Sequence, residues 1–175
     1  LNAQLLLTDN IALISDDKSL TAGLIHIIWN RSNEDVQFRI DDTPVTLLSG
    51  QLTTCTYLQK VHFKLPRPML TIFSFNREFY CINDHDHEVS CNGIIFFGTQ
   101  ELPIITPGES ETAKLEMLLN VFIDEFGERD NIQGEMLQML LKRLIIKCTR
   151  LARTQHVTQS MDNDQVDIVR KFNVL

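Results

Sequence analysis

The stretch Pro107–Thr112, which reads PGESET, divides the sequence into two parts of different character. Before it, short runs of β-branched and aromatic residues recur at close spacing. After it, apolar residues recur with the period of about 3.6 that is typical of an amphipathic helix. Pro107 and Gly108 interrupt regular structure, and Ser110 is a suitable N-cap residue. The stretch therefore predicts a β-rich part followed by a helical part.

The β-rich part contains nine predicted strands, separated by polar turn residues and by no helical pattern. In Val36–Ile40 the apolar residues alternate with polar ones, so one face of this strand should point inward. Two turns are specific enough to predict hairpins, namely Asp41–Pro44 and Asn83–His87. Many short strands of this kind predict an antiparallel sandwich or barrel. The predicted strands are Ile11–Ser15, Leu24–Trp29, Val36–Ile40, Val45–Leu48, Thr54–Leu58, Val61–Leu65, Met69–Phe75, Phe79–Ile82 and Gly93–Phe97.

Two helices follow, and the second carries more apolar surface than one buried face requires. The first should end at Gly127 and bury the stripe Leu115, Leu118, Leu119, Phe122 and Phe126. The second, over 132–155, has a main seam of Leu137, Leu140, Leu141, Leu144, Cys148, Leu151 and Ala152, which Met136, Met139, Ile145 and Ile146 widen. The extra face is covered either by a partner subunit or by the first helix of the same chain.

A last helix is predicted from Asp162 to Leu175, capped by Asp162 or Asn163. It reaches the end of the sequence without a terminating residue or a polar tail. We interpret this as a boundary inside a longer protein.

Composition narrows the class of protein. Hydrophobic residues make up 43% and charged residues 22% of the 175 residues, the balance of a soluble globular domain. No apolar run approaches the roughly 20 residues of a membrane span, and no secretory signal is recognisable, so we expect a cytoplasmic protein. The four cysteines have no CxxC spacing and are expected to be reduced.

The formal net charge of −7 gives the chain no electrostatic reason to hold a phosphate backbone by itself. A basic stripe on the second helix is therefore expected to be a solvated face. Its members are Lys142, Arg143, Lys147, Arg150 and Arg153.

Candidate catalytic or metal-binding residues are few. The segment Asp84–Glu88 places two imidazoles among carboxylates, but we expect a solvated hairpin tip there. His26 and His62 each lie in a strand-like run, where a histidine could contact a ligand or simply belong to the core or surface. Because no nucleophile has an obvious base, and neither a Walker loop nor a dinucleotide turn is present, we expect no enzyme, no cofactor and no metal. The rival interpretation is a free-standing metal-dependent cupin enzyme, with His85, His87 and either Glu88 or His62 as ligands.

Three groups of segments resemble the N-terminal half of AraC-family transcription regulators of the Bacteroidetes type. The first is Ile27–Asn30 with Phe38–Asp42 and Leu52-Thr53. The second is Phe73–Ile82 with Glu88–Gly93 and Phe96–Gly98. The third is Glu135–Ala152, which is similar to the interdomain helix, and Val169–Leu175 resembles the approach to a DNA-binding domain.

The resemblance implies a mainly β fold with a helical C-terminal part: a cupin-like antiparallel barrel or jelly roll followed by two to three helices. Residues 1–107 would be a cupin-like sensor domain, 108–160 a helical dimerisation segment, and 161–175 the linker or first helix before a missing helix-turn-helix domain. The implied function is effector sensing and dimerisation in a bacterial regulator of gene expression. The partners would be a second copy, a small-molecule effector, and DNA through the missing domain alone.

Strand placement and side-chain chemistry assign candidate residues to two sites. For the ligand they are His26, Trp29, Phe38, Tyr57, His62, Phe73 and Phe75. For the dimer interface they are Met136, Met139, Leu140, Arg143, Leu144, Lys147 and Leu151.

Overall fold

The computed structural model describes residues 2–9, 23–63, 70–89, 94–97 and 102–157, with side chains placed for all of these except 86–89 and 156–157. The predicted strand Ile11–Ser15 and the predicted helix 162–175 lie outside these residues. The described strands are β1 (Leu5–Thr8), β2 (Ile25–Asn30), β3 (Val36–Ile40), β4 (Thr43–Leu47), β5 (Leu52–Cys55), β6 (Val61–Phe63), β7 (Leu70–Phe75) and β8 (Ile104–Ile105). The helices are α1 (Ile82–Val89), α2 (Glu109–Gly127) and α3 (Gln133–Val157).

The strands form two antiparallel sheets. The large sheet has the order β1-β7-β2-β5-β8, and the small sheet has the order β4-β3-β6. The central strand β2 pairs with β7 on one side and with β5 on the other, with His26 opposite both Ser74 and Cys55. The prediction of a mainly β chain with a helical C-terminal part is thus confirmed.

The large sheet is the middle layer of the molecule, because both of its faces are covered. On one face, Ile28 and Ile72 pack with apolar residues of the small sheet. On the other face, Ile27, Trp29 and Phe73 pack with the helices. This explains why every residue of β2 and β7 is buried, whereas β3 alternates between buried and exposed residues.

The tight turn between β3 and β4 is confirmed, since Ile40 pairs with Thr43. Asp41 adopts a left-handed conformation there, with φ of 53°, which aspartate tolerates better than most residues. Its carboxylate accepts a hydrogen bond from the backbone N–H of Lys60 at 2.9 Å. The turn is therefore tied to the approach to β6.

The second predicted hairpin is wrong, and so is the predicted strand Phe79–Ile82. The side chain of Asn76 accepts a hydrogen bond from the backbone N–H of Phe79 at 3.0 Å, which turns the chain directly after β7. Residues 82–89 then form α1 in place of a hairpin. The apolar residues of this run, Phe79, Tyr80 and Ile82, are buried beneath the helices by the turn and the start of α1.

The predicted strand Gly93–Phe97 is also wrong within its described residues, because 94–97 form a turn with a single strand-like bridge at Phe96. Ile95 and Phe96 are nevertheless buried in the core beneath the helices. Their apolar character reflects this burial and does not mark a strand.

The two long helices follow the predicted pattern closely. In α2 the residues Leu115, Leu118, Leu119 and Phe122 are buried, while Phe126 in the last turn is more exposed than predicted. The N-cap is Gly108, not Ser110, and its carbonyl accepts a hydrogen bond from the backbone N–H of Thr112. None of the described helices is long and apolar enough to cross a membrane.

Candidate functional site

The seven predicted ligand residues fall on three different surfaces. His26 and Phe38 lie between the two sheets, in the layer centred on Ile28 and Ile72. Trp29, Phe73 and Phe75 lie on the opposite face of the large sheet, beneath the helices. Tyr57 and His62 are exposed. These residues therefore do not converge on one cavity.

His26 is the only buried imidazole among the described residues. Its Nδ1 lies 2.8 Å from the hydroxyl oxygen of Ser74, and its other neighbour across the strands is the buried Cys55. Removal from water penalises the imidazolium form, which lowers the pKa of His26 to about 4. Burial also raises the pKa of the Cys55 thiol, so this thiol stays protonated and unreactive.

The lowered pKa of His26 predicts a loss of stability in mild acid. Between its unfolded pKa near 6.5 and its folded pKa of about 4, the unfolded chain binds a proton that the folded chain does not. The free energy of unfolding should therefore fall by about 3 kcal/mol as the pH drops through this window. Other groups titrate there too, so the measurement is the difference between the native chain and His26→Gln in urea titrations from pH 7 to pH 4. Parallel pH profiles for the two chains would contradict this assignment.

A groove of about 610 Å³ opens between the small sheet and the edge of the large one. It is lined from four separate segments: the β3–β4 turn with β4, β5 with the turn that follows it, residues 94–97, and residues 102–104. Among the lining residues Leu58 is 72% exposed and Ile104 is 37% exposed, and the neighbouring Tyr57 is 50% exposed. The ring of Phe97 packs edge-on against Tyr57, with 5.7 Å between ring centroids.

Several polar groups of the groove already form hydrogen bonds within the protein. The hydroxyl of Thr54 donates to the carbonyl of Ile95, which holds residues 94–97 against β5. The side-chain carbonyl of Gln59 accepts from the backbone N–H of Thr56 at 2.9 Å. The hydroxyl-bearing residues Thr43 and Thr46 are exposed along β4. Among the described lining residues there is no lysine or arginine, and Asp41 is the one ionisable residue.

The rival metal site depended on the segment Asp84–Glu88, which lies in α1. The His85 ring stacks on Tyr80, with 4.7 Å between ring centroids. His62 lies on β6 of the small sheet, and the side chains of His87 and Glu88 lie outside the described part of the chain. Within the described residues no three His, Cys, Asp or Glu side chains are placed to hold a metal ion.

The predicted dimer residues of α3 divide into a buried and an exposed set. Leu140 and Leu144 are buried in the core of this chain, and Leu151 is partly buried against it. Met136, Met139 and Arg143 are exposed, with Met139 at 59%. Part of the apolar surface of α3 is thus buried within the chain, and part of it is exposed.

Lys147, also predicted at the interface, is engaged within the chain. Its ammonium group lies 2.7 Å from the Glu111 carboxylate, which joins α3 to α2. Lys114 and Lys147 both hydrogen-bond this carboxylate and lower the pKa of Glu111 to about 2. The Glu111 carboxylate therefore remains ionised from neutral pH down to strong acid.

The exposed face of α3 has a regular spacing. We call it the outer stripe, and its described side chains follow one another at intervals of four and three, which is the heptad spacing of helices that pair. They are Ile132, Met136, Met139, Arg143, Ile146, Arg150 and Arg153. Ile132 precedes the first turn of α3, and Ile146 is half-buried because it packs in part against the core of its own chain.

Polar contacts fix the helices on the sheet. Arg31, whose guanidinium lies over the Trp29 ring, bridges to Glu116 of α2 at 2.7 Å. At the far end of α3, the Gln155 side chain donates to the carbonyl of Thr106 at 2.9 Å. The end of α3 is thus bonded to the strand segment that leads from the groove into α2.

No protein-family model matches the chain, and no curated protein matches it.

Proposed function

We propose that this chain is the effector-sensing and dimerisation domain of a DNA-binding transcription regulator of the bacterial cytoplasm. In this proposal the two sheets are a cupin-like barrel, and α2 and α3 are the dimerisation segment. A helix-turn-helix domain following in the full-length protein would contact DNA. The observation that carries the proposal is the outer stripe, an apolar and basic face with heptad spacing on the surface of α3.

The distribution of charge along α3 favours an antiparallel pairing of two copies. Three acidic residues and one basic residue lie at and just before its N-terminal end: Glu128, Arg129, Asp130 and Glu135. Basic residues occupy the other half: Lys142, Arg143, Lys147, Arg150 and Arg153. A parallel pair would bring like charges together along the whole helix, whereas an antiparallel pair places Glu135 near Arg153 of the other copy and brings like charges together only near its centre, at Lys142 and Lys147.

The heptad spacing allows more than one register of such a pair, and we propose the one centred on Arg143 and Ile146. A two-fold axis between Arg143 and Ile146 places these two residues opposite each other across the interface. It also places Met139 opposite Arg150, and Met136 opposite Arg153. The methylene groups of arginine can cover a methionine side chain while the guanidinium reaches solvent. Since the interface is symmetric, each substitution acts twice.

We expect a dimer of twice the 20.2 kDa chain mass by light scattering coupled to size-exclusion chromatography. Met139→Arg should dissociate it, weakening the dimer by about a hundredfold or more, because a second cation meets Arg150 at both symmetric positions. Met139→Glu should weaken it far less, since the new carboxylate faces a cation. The double variant Met139→Arg with Arg150→Glu should restore the dimer.

The matched control is Leu48→Arg, an exposed residue in the turn between β4 and β5, which should remain a dimer. A monomeric native chain at micromolar concentration would overturn the proposed dimer. Equal disruption by Met139→Arg and Met139→Glu would exclude the antiparallel register, because Met139 would then face another Met139.

A further inference from the structure

The groove has the size of a small-molecule site. Its volume of about 610 Å³ lies within the range of about 300–1,000 Å³ in which proteins enclose small ligands. Four chain segments meet there, Leu58 and Ile104 are exposed lining residues, and the exposed Tyr57 packs on the lining residue Phe97. Exposed apolar side chains gathered around a concave surface indicate a binding site more strongly than the same residues scattered over the surface.

The backbone at this mouth is strained. Phe97 adopts a left-handed conformation with φ of 53°, which is uncommon for a bulky residue. The conformation is held on one side by the packing of Phe97 on Tyr57 and on the other by the bond between Thr54 and Ile95. Strain of this kind persists where the surrounding structure over-determines it, and it concentrates at ligand sites.

The lining selects against negative charge. Ten of its residues are apolar, four are threonines, and the remaining two are Gln59 and Asp41. An anion entering the groove would lose its hydration and find no cation among the described lining residues, while the Asp41 carboxylate would repel it. A neutral molecule would lose little hydration, and the exposed hydroxyls of Thr43 and Thr46 could bond its polar edge.

We propose that this groove binds an uncharged, amphipathic small molecule of about the size of a two- or three-ring compound. The inference names the class of effector for the sensor proposed above and in that sense rests on that proposal. Binding in the groove does not require the outer stripe, however, so the two can fail independently.

The position of the groove connects it with the helices. Residues 102–104 form one wall, and the chain passes from there through Thr106 into α2. The Thr106 hydroxyl accepts a hydrogen bond from the Gln51 side chain, and its carbonyl accepts one from Gln155 of α3. A molecule bound at this wall would therefore contact Ile104, which lies two residues before Thr106 and its hydrogen bond to the end of α3.

Two probes that differ by one charge test the proposal. N-phenyl-1-naphthylamine is neutral, and 8-anilino-1-naphthalenesulfonate carries the same rings with a sulfonate. In fluorescence titrations of the full chain we expect one site for the neutral probe and binding of the sulfonate at least about tenfold weaker at that site. Leu58→Asp should weaken the neutral probe at least about fivefold, because it removes apolar contact and adds a charge.

Thr46→Arg provides the decisive variant, because it adds a cation to the exposed side of β4. It should strengthen sulfonate binding by about tenfold and leave the neutral probe within about threefold. Leu48→Arg adds the same charge outside the groove and should change neither affinity. Since the basic face of α3 is identical in all variants, differences among them report on the groove.

Equal affinities of the two probes in the native chain, or identical responses to Thr46→Arg and Leu48→Arg, would overturn the proposal. So would binding of the neutral probe that Leu58→Asp leaves unchanged. Circular dichroism of each variant establishes that the fold is intact. The oligomeric state, measured separately, reports on the proposed dimer alone.

Discussion

Replacing Phe122 with alanine is expected to lower the free energy of unfolding by about 3–5 kcal/mol. Phe122 is fully buried in α2, and its ring packs on Phe73 of β7 with 5.0 Å between ring centroids. It lies at the contact between the helices and the large sheet. Because neighbours on both sides are held in regular structure, the cavity left by the ring can collapse only in part.

The matched control is the next residue of α2. Ile123 is 54% exposed, so Ile123→Ala should change the free energy of unfolding by no more than about 0.5 kcal/mol. Urea titrations followed by far-ultraviolet circular dichroism measure both variants. Similar losses for the two would contradict the assignment of Phe122, and not Ile123, to the sheet-facing side of the helix.

Asn30 is the second position where a large effect is expected. Its side-chain amide donates to the carbonyls of Leu47 at 2.9 Å and Glu34 at 2.8 Å, which joins the end of β2 to the small sheet. Its side-chain oxygen accepts from the backbone N–H and the hydroxyl of Ser32. Asn30 is fully buried, and Asn30→Ala removes all four bonds, of which the one to the Leu47 carbonyl is itself buried, so it should cost about 2–4 kcal/mol.

Asn30→Asp should cost still more than Asn30→Ala, although it nearly preserves the shape. An aspartate oxygen would face two carbonyl oxygens, and its charge would be buried without a cation. The pKa of the new carboxyl should rise, so the loss grows as the pH increases from 4 to 7. Urea titrations at both pH values measure this. A loss for Asn30→Asp that is smaller than for Asn30→Ala at pH 7 would refute the donor role of the amide.

The sequence was most informative where a residue pattern depends on one buried face. The alternation in Val36–Ile40 predicted β3, and the spacing of Leu115, Leu118 and Phe122 predicted the buried side of α2. The turn after β7 was not predictable in this way. Phe79 and Tyr80 are apolar because the helices cover them, and aromatic residues before a polar segment resemble a strand entering a hairpin.

The ligand residues could not be assigned because β2 and β7 are buried on both faces. The run Ile25–Trp29 has no alternation of polar and apolar residues that would distinguish the inter-sheet side from the helix side, so the sequence does not separate His26 from Trp29, although they face opposite layers. No local sequence pattern predicts the groove. Its walls come from four separated segments, and only the fold brings Thr46, Leu58 and Ile104 together.

In α3 the spacing of apolar residues predicts that the helix is widely apolar, but not which of these residues are buried within the chain. The wide apolar arc of α3 predicted two covered faces, and the structure assigns Leu140 and Leu144 to the core while Met139 stays on the surface. Position along the helix alone could not separate these sets. That separation required the direction in which α3 packs on α2 and the sheet.

The pairing of β1 determines the order in which the chain can fold as it is synthesised. Within the described residues β1 pairs only with β7, and the Asn76 side chain bonds the backbone N–H of Gln4 across 72 positions. This edge of the large sheet therefore stays open until β7 has also emerged from the ribosome, and closing so long a loop slows its formation. The α2–α3 hairpin joins neighbouring segments and can form quickly, but the apolar surface on which it packs is completed only by these distant strands.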